Sequence, residues 1–248
     1  MSVVNTILSH RSIRKYKDKS IEPQILNSIL EVGIRASTTG NMQVYSVIVT
    51  TDNEIKKQLS PAHFNQPMIK EAPVVLTFCA DFNRFNKWCL QRNANPGYDN
   101  FLSFMTAAID ALLVAQNVCI AAEANGLGIC YIGTVIYNAD KIIEILKLPK
   151  GVVPVASVTI GYPDEMPELT DRLPLEAVIH KEVYHDYSSD DIERLYSEKE
   201  NLTINKKYVE ENNKETLAQV FTDVRYSKKD NEYFSEVLLK VLKNQGFI

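Results

Sequence analysis

Apolar residues recur at helical spacing at Val4, Ile7 and Leu8, and again at Ile25, Ile29, Leu30 and Ile34, the second run opening with Pro23 in its first turn. Each run predicts one short amphipathic helix. The segment 36–43 then turns polar and rich in hydroxyls and reads as a loop. Residues 44–51 are β-branched and aromatic and predict a strand, which Asp52-Asn53 stops while capping a helix over 54–59. Residues 73–80 form a continuous apolar run suited to a sheet interior. Residues 101–125 are apolar on nearly every side, which predicts a helix buried in a core or at a subunit interface and ended by Asn125-Gly126. Short strands follow over 127–133 and 154–160, with a helix through Leu146 between them. Beyond Pro163 the path is proline-rich, and beyond about Tyr187 it is charged, with helical patterns at 190–200 and 233–242.

Four strands alternating with helices fit an α+β sheet flanked by helices. A Rossmann domain is excluded, because Gly126-Leu127-Gly128 lacks a third glycine and stands between a helix and a strand, the wrong order. The expected organisation is a core over residues 1–186 and a helical C-terminal arm over 187–248 that packs on the core or on a partner subunit.

Composition narrows the class. The chain has 248 residues, 45% hydrophobic and 23% charged, with net charge -4. It can bury a large core, and it carries no basic stripe that would mark a nucleic-acid partner. Cys79, Cys89, Cys119 and Cys130 form no C-x-x-C pair, Cys79 and Cys119 sit in apolar runs, and the four histidines lack metal-ligand spacing. No metal is expected. The N-terminus has no apolar signal segment, and 101–125 is broken by Asp110, Gln116, Asn117 and Glu123, unlike a membrane span. These features predict a soluble, cytoplasmic protein.

The densest candidate chemistry is His10-Arg11-Ser12-Ile13-Arg14: three basic groups and a hydroxyl, with Ile13 expected to turn inward. Arginine forks match phosphate oxygens. Taken alone, the segment reads better as the solvated basic end of the first helix. It does not stand alone. The hydroxyl-rich Ser37-Thr38-Thr39 with Gln43 before a strand, Phe64-Asn65-Gln66-Pro67, the strand ending at Asp81, the stretch from Ala115 to Gly133, and Asp171-Arg172-Leu173-Pro174 follow in order. This series resembles the flavin-dependent nitroreductases, nearest the oxygen-insensitive type A nitroreductase and NAD(P)H–flavin oxidoreductase branch. The resemblance covers about residues 4–186.

It implies a nitroreductase-like fold, an obligate homodimer, and FMN at the subunit interface. His10, Arg11, Ser12 and Arg14 would hold the phosphate and ribityl chain with Arg172, and Arg14 would be the cation near the flavin N1 and O2. Thr170 stands where the family has lysine, so one phosphate cation is missing. Ser37, Thr38, Thr39 and Gln43 would meet the flavin of the partner chain. Gln66 would reach the polar end of the ring, and Tyr131, Ile132, Gly133 and Thr134 would pass beside it.

The implied activity is two-electron reduction of nitroaromatics, quinones or free flavins by NADPH or NADH with ping-pong kinetics. The flavin carries the chemistry, and no side-chain acid or base is needed. Lys206, Lys207, Lys214 and Arg225 are the cations available for a nicotinamide nucleotide, with a lean to NADPH. The alternatives are a non-catalytic flavin-binding protein, or the same fold running another flavin reaction such as reductive dehalogenation.

Overall fold

The computed structural model describes residues 2–248. Its sheet has four strands, β1 (Tyr45–Thr50), β2 (Val74–Asp81), β3 (Gly128–Ile132) and β4 (Val152–Gly161), in the order β1-β2-β4-β3. Every neighbouring pair is antiparallel. β2 is buried along its whole length, which is what its unbroken apolar run demands. Pro154 lies in the part of β4 that pairs with β2 alone, since β3 reaches only from Ser157 to Gly161. The register shifts there: Phe78 faces Ala156 and Cys79 faces Pro154, so Val155 is the extra residue of a bulge.

Helices begin where the sequence supplies a cap. α1 (Val3–Leu8) follows Ser2, and α2 (Pro23–Gly33) starts on a proline. α3 (Asn53–Ala62) is capped by Asp52, whose carboxylate accepts from the N–H groups of Glu54 and Ile55 at 2.9 Å each. α4 (Met68–Glu71) and α5 (Asn83–Gln91) flank β2 in sequence; α5 is amphipathic and absent from the expectations above, because its apolar residues are too few to stand out. α6 (Phe101–Ala124) is capped by Asn100, and α7 (Ala139–Ile145) links β3 to β4.

α6 is the spine of the core. Ala111, Val114, Ala115, Val118 and Ala122 pack with Leu76, Phe78, Val158 and Ile160 of the sheet. A Cβ at Gly33 would lie 2.3 Å from Val118, so glycine is what lets α2 approach α6 so closely. Although α6 is long and apolar enough to cross a membrane, it is a core helix on its alanine-rich side. The opposite side is different: Leu102, Met105, Ile109 and Leu112, at spacings of three and four, are all exposed.

The chain divides into two compact units, Met1–Glu168 with Phe234–Ile248, and Leu169–Tyr233. This differs from the expected division at residue 187. The first unit reclaims the chain end: Val241, Leu242 and Phe247 are buried with Phe82 and Phe104. The second unit holds α8 (Ser189–Asn201), begun by a Ser188/Asp191 capping box, α9 (Thr203–Glu211) and α10 (Leu217–Gln219). α11 (Lys228–Gln245) runs from one unit into the other.

Candidate functional site

The basic pentapeptide leaves α1 and lies along the edge of β3. Ile13 is 5% exposed and donates its N–H to the Ile129 carbonyl at 2.8 Å, and Ser12 forms a parallel bridge to Ile129. Gly128 permits this contact, since a Cβ there would fall 2.6 Å from Ile13. Tyr16 fastens the far end. Its hydroxyl donates to the Ile13 carbonyl at 2.6 Å and lies 2.8 Å from Thr159 Oγ1, and burial raises its pKa above the ordinary phenol value. With the inward residue pinned, the polar members His10, Arg11 and Ser12 are half-buried and Arg14 is exposed.

Each of those members has a defined setting. His10 Nδ1 lies 2.7 Å from Glu123 Oε1 at the end of α6. Arg11 donates from Nη1 to the Ser9 carbonyl at 2.9 Å, while its Nε is buried with no hydrogen-bond partner. Ser12 Oγ and the exposed Arg14 guanidinium bond to none of the described residues. The backbone N–H groups of Arg14 and Lys15 are not free: both donate to Glu165 Oε1, at 2.7 and 3.1 Å. An anion at this edge would therefore not meet the N–H groups of Arg14 and Lys15. Two guanidiniums, one of them with a buried and unpartnered Nε, an imidazole and a hydroxyl form a donor set that fits a phosphate.

A second group gathers at the end of β3. Thr134 Oγ1 lies 3.0 Å from His63 Nδ1 and accepts from Gln66 Nε2 at 3.4 Å. His63 is fully buried, which pushes its pKa down to about 4 and keeps it neutral. The turn between them is tight, with Phe64 and Asn65 both left-handed at φ 53° and 56°. Phe64 meets the stacked pair Tyr137 and Phe234 edge-on. Ile132 is buried, Tyr131 is 37% exposed, and a Cβ at Gly133 would meet nothing within 4 Å, so this strand end is open.

The hydroxyl-rich loop forms a third group. Thr39 donates from its N–H and its hydroxyl to Asp110 Oδ1, at 2.9 and 3.2 Å. Asp110 is 1% exposed and its Oδ2 has no partner. Ser37 is exposed and Thr38 half-buried. Gln43 is exposed and left-handed at φ 55°, its amide donates to Asn41 Oδ1 at 3.2 Å, and Arg84 donates to its carbonyl.

Arg172 belongs to the second unit. Its guanidinium folds back, donating to Thr170 Oγ1 and the Asp171 carbonyl at 2.9 Å each. Thr170, in the place of the expected lysine, thus orients the arginine. Asp171 is neutralised by Lys199 of α8 at 2.6 Å. The nicotinamide candidates are dispersed in this unit. Lys207 pairs with Glu211 at 3.5 Å, and Lys214 with Asp223 at 2.9 Å. Arg225 lies over the Tyr208 ring at 4.5 Å, and Lys206 is exposed.

Tyr16, His63, Asp110, Glu123, Glu165 and Lys199 escape sequence reasoning. Each works on a residue far away in the chain, and no local spacing announces such a pair.

The Nitroreductase family profile matches residues 7–162, and the chain belongs to this family. Among curated relatives, the FMN reductase (NADPH) of Bacillus subtilis (strain 168) is 36% identical over 186 residues, 74% of this chain and 75% of the relative. The NADPH-flavin oxidoreductase of Vibrio harveyi is 34% identical over 77% of this chain and 78% of its own. A solved structure of a Bacteroides fragilis NCTC 9343 protein, named as an oxidoreductase, is 62% identical with a TM-score of 0.97, covering 98% of this chain and 99% of the other.

Proposed function

We propose that the protein is an FMN-dependent NAD(P)H oxidoreductase that reduces nitroaromatics, quinones or free flavins. The observation that carries this reading is the pentapeptide itself: Ile13 pinned to β3, with His10, Arg11 and Ser12 half-buried, Arg14 exposed and Arg11 Nε unpartnered. Bound FMN would accept a hydride from NADPH or NADH and pass two electrons to the acceptor.

The chain's own groups supply binding and orientation. His10, Arg11, Ser12 and Arg14 hold the phosphate and ribityl chain, and Arg172 is a further candidate cation for the phosphate. Gln66 and residues Tyr131 to Thr134 border the ring, and Ser37, Thr38, Thr39 and Gln43 serve the flavin of a second copy. Donor and acceptor use one open slot in turn, which makes the kinetics ping-pong. Lys206, Lys207, Lys214 and Arg225 are the groups from which a nucleotide phosphate draws its cations.

The assembly is a homodimer. The exposed stripe Leu102, Met105, Ile109 and Leu112 on α6 is the surface that a second copy covers. Burying these four side chains stabilises the pair by several kcal/mol, at roughly 1.5–3 kcal/mol for each fully buried side chain. The test is direct: apoprotein titrated with FMN should quench flavin fluorescence to a one-to-one endpoint per subunit. NADPH or NADH should then bleach the visible flavin band without oxygen. Steady-state lines that intersect instead of running parallel contradict the ping-pong scheme.

A further inference from the structure

The buried imidazole at the end of β3 has no part in the scheme above, yet it is bonded to the residues that border the ring. We infer that His63 is a positioning residue, which acts through the Thr134 hydroxyl to fix the Gln66 amide with its carbonyl turned toward the flavin. The inference rests on the proposed FMN site.

The geometry runs in one chain. Gln66 Nε2 donates to Thr134 Oγ1 at 3.4 Å, and Thr134 Oγ1 lies 3.0 Å from His63 Nδ1. A hydroxyl has one proton to give. The proposal places the proton of the neutral His63 on Nε2, so that the Thr134 hydroxyl donates to Nδ1 and keeps its lone pairs for the Gln66 N–H. Each donor then has a fixed direction, and the glutamine amide cannot rotate without leaving Thr134 short of a donor. Gln66 Oε1 bonds to none of the described residues and is the free end of the relay. The isoalloxazine edge offers one N–H, at N3, between two carbonyls, and an amide oxygen is the group that pairs with it.

Two further observations show that the chain sustains costs to keep this arrangement. His63 Nε2 is buried with no partner, although a buried polar group without a hydrogen bond is unfavourable. Phe64 and Asn65 are both left-handed, a conformation that a bulky aromatic residue resists. Together they bring His63 and Gln66 to the same hydroxyl from two sides of a turn.

The test compares wild type with His63→Leu, which keeps the bulk, and His63→Asn, whose amide reaches the Nδ1 position. Full-length apoprotein is titrated with FMN, and the N3 resonance of nitrogen-labelled FMN is recorded by NMR in each holoprotein. His63→Leu is expected to bind FMN about tenfold more weakly and to move the N3 resonance toward its value in water, with His63→Asn restoring both. Circular dichroism identifies a variant that fails to fold, and Thr134→Val, which cuts the relay one step later, must then reproduce the loss. If wild type binds FMN while His63→Leu and Thr134→Val keep its affinity and its N3 resonance, the inference is overturned and the FMN site stands. If wild type takes up no FMN, both are overturned.

Discussion

Glu123 holds His10 across 113 residues of sequence, with Oε1 2.7 Å from Nδ1. The contact ties the last turn of α6, the core spine, to the first residue of the phosphate segment. Glu123→Ala is predicted to weaken FMN binding about tenfold, as a charge-assisted hydrogen bond contributes on the order of 1.5–3 kcal/mol. Glu123→Gln, which keeps a hydrogen bond, should lose less. Fluorescence titration of apoprotein with FMN measures both.

Gly128→Ala tests the seating of the same segment. Its Cβ would meet Ile13 at 2.6 Å, so the pentapeptide must move off β3. Overpacking of this kind costs about 1–3 kcal/mol. The expected outcome is a lower Tm together with loss of FMN; a variant that keeps both contradicts the packing argument.

The resemblance assigns Arg172 to the flavin phosphate, and Thr170 stands where a second cation is expected. Arg172→Ala should release FMN on gel filtration, and Thr170→Lys should tighten it about three- to tenfold, the value of one added partly exposed charge. A Thr170→Lys variant with unchanged affinity places the phosphate elsewhere.

His63 sets a pH dependence of stability. Its folded-state pKa is lowered from 6.5 to about 4 by burial. Between those values the unfolded chain binds a proton that the native chain refuses, so stability is full above about pH 6.5 and falls as pH drops toward 4. At ~1.4 kcal/mol per pH unit the loss is about 3 kcal/mol. Urea unfolding at a series of pH values should show this slope in wild type, and His63→Leu should remove it.

Lys214 is held by Asp223 at 2.9 Å. Asp223→Ala frees the ammonium for a nucleotide phosphate and should lower KM for NADPH about threefold, the scale of one exposed charge pair, with NADH unchanged. Equal effects on both nucleotides would remove Lys214 from the phosphate site.

How much of this was legible in the sequence follows from the physics of each feature. The four strands and α6 were visible because long apolar runs have few alternatives. Ile13 showed its inward face by being the one apolar residue among polar neighbours. α5 and α9 were missed because their apolar residues are sparse. Which residues of the C-terminal arm meet the core, Val241, Leu242 and Phe247, was not legible, because such a contact has no local pattern. The supports of the site, His63, Glu123 and Glu165, are ordinary residues until the fold brings each to a partner.

The central claim is tested most directly by anaerobic titration of the FMN-loaded protein with NADPH and NADH. The expected result is loss of the visible flavin band at one equivalent of nucleotide per subunit, and its return on adding a quinone or nitroaromatic. A protein that takes up no FMN, or a bound flavin that neither nucleotide bleaches, would contradict it.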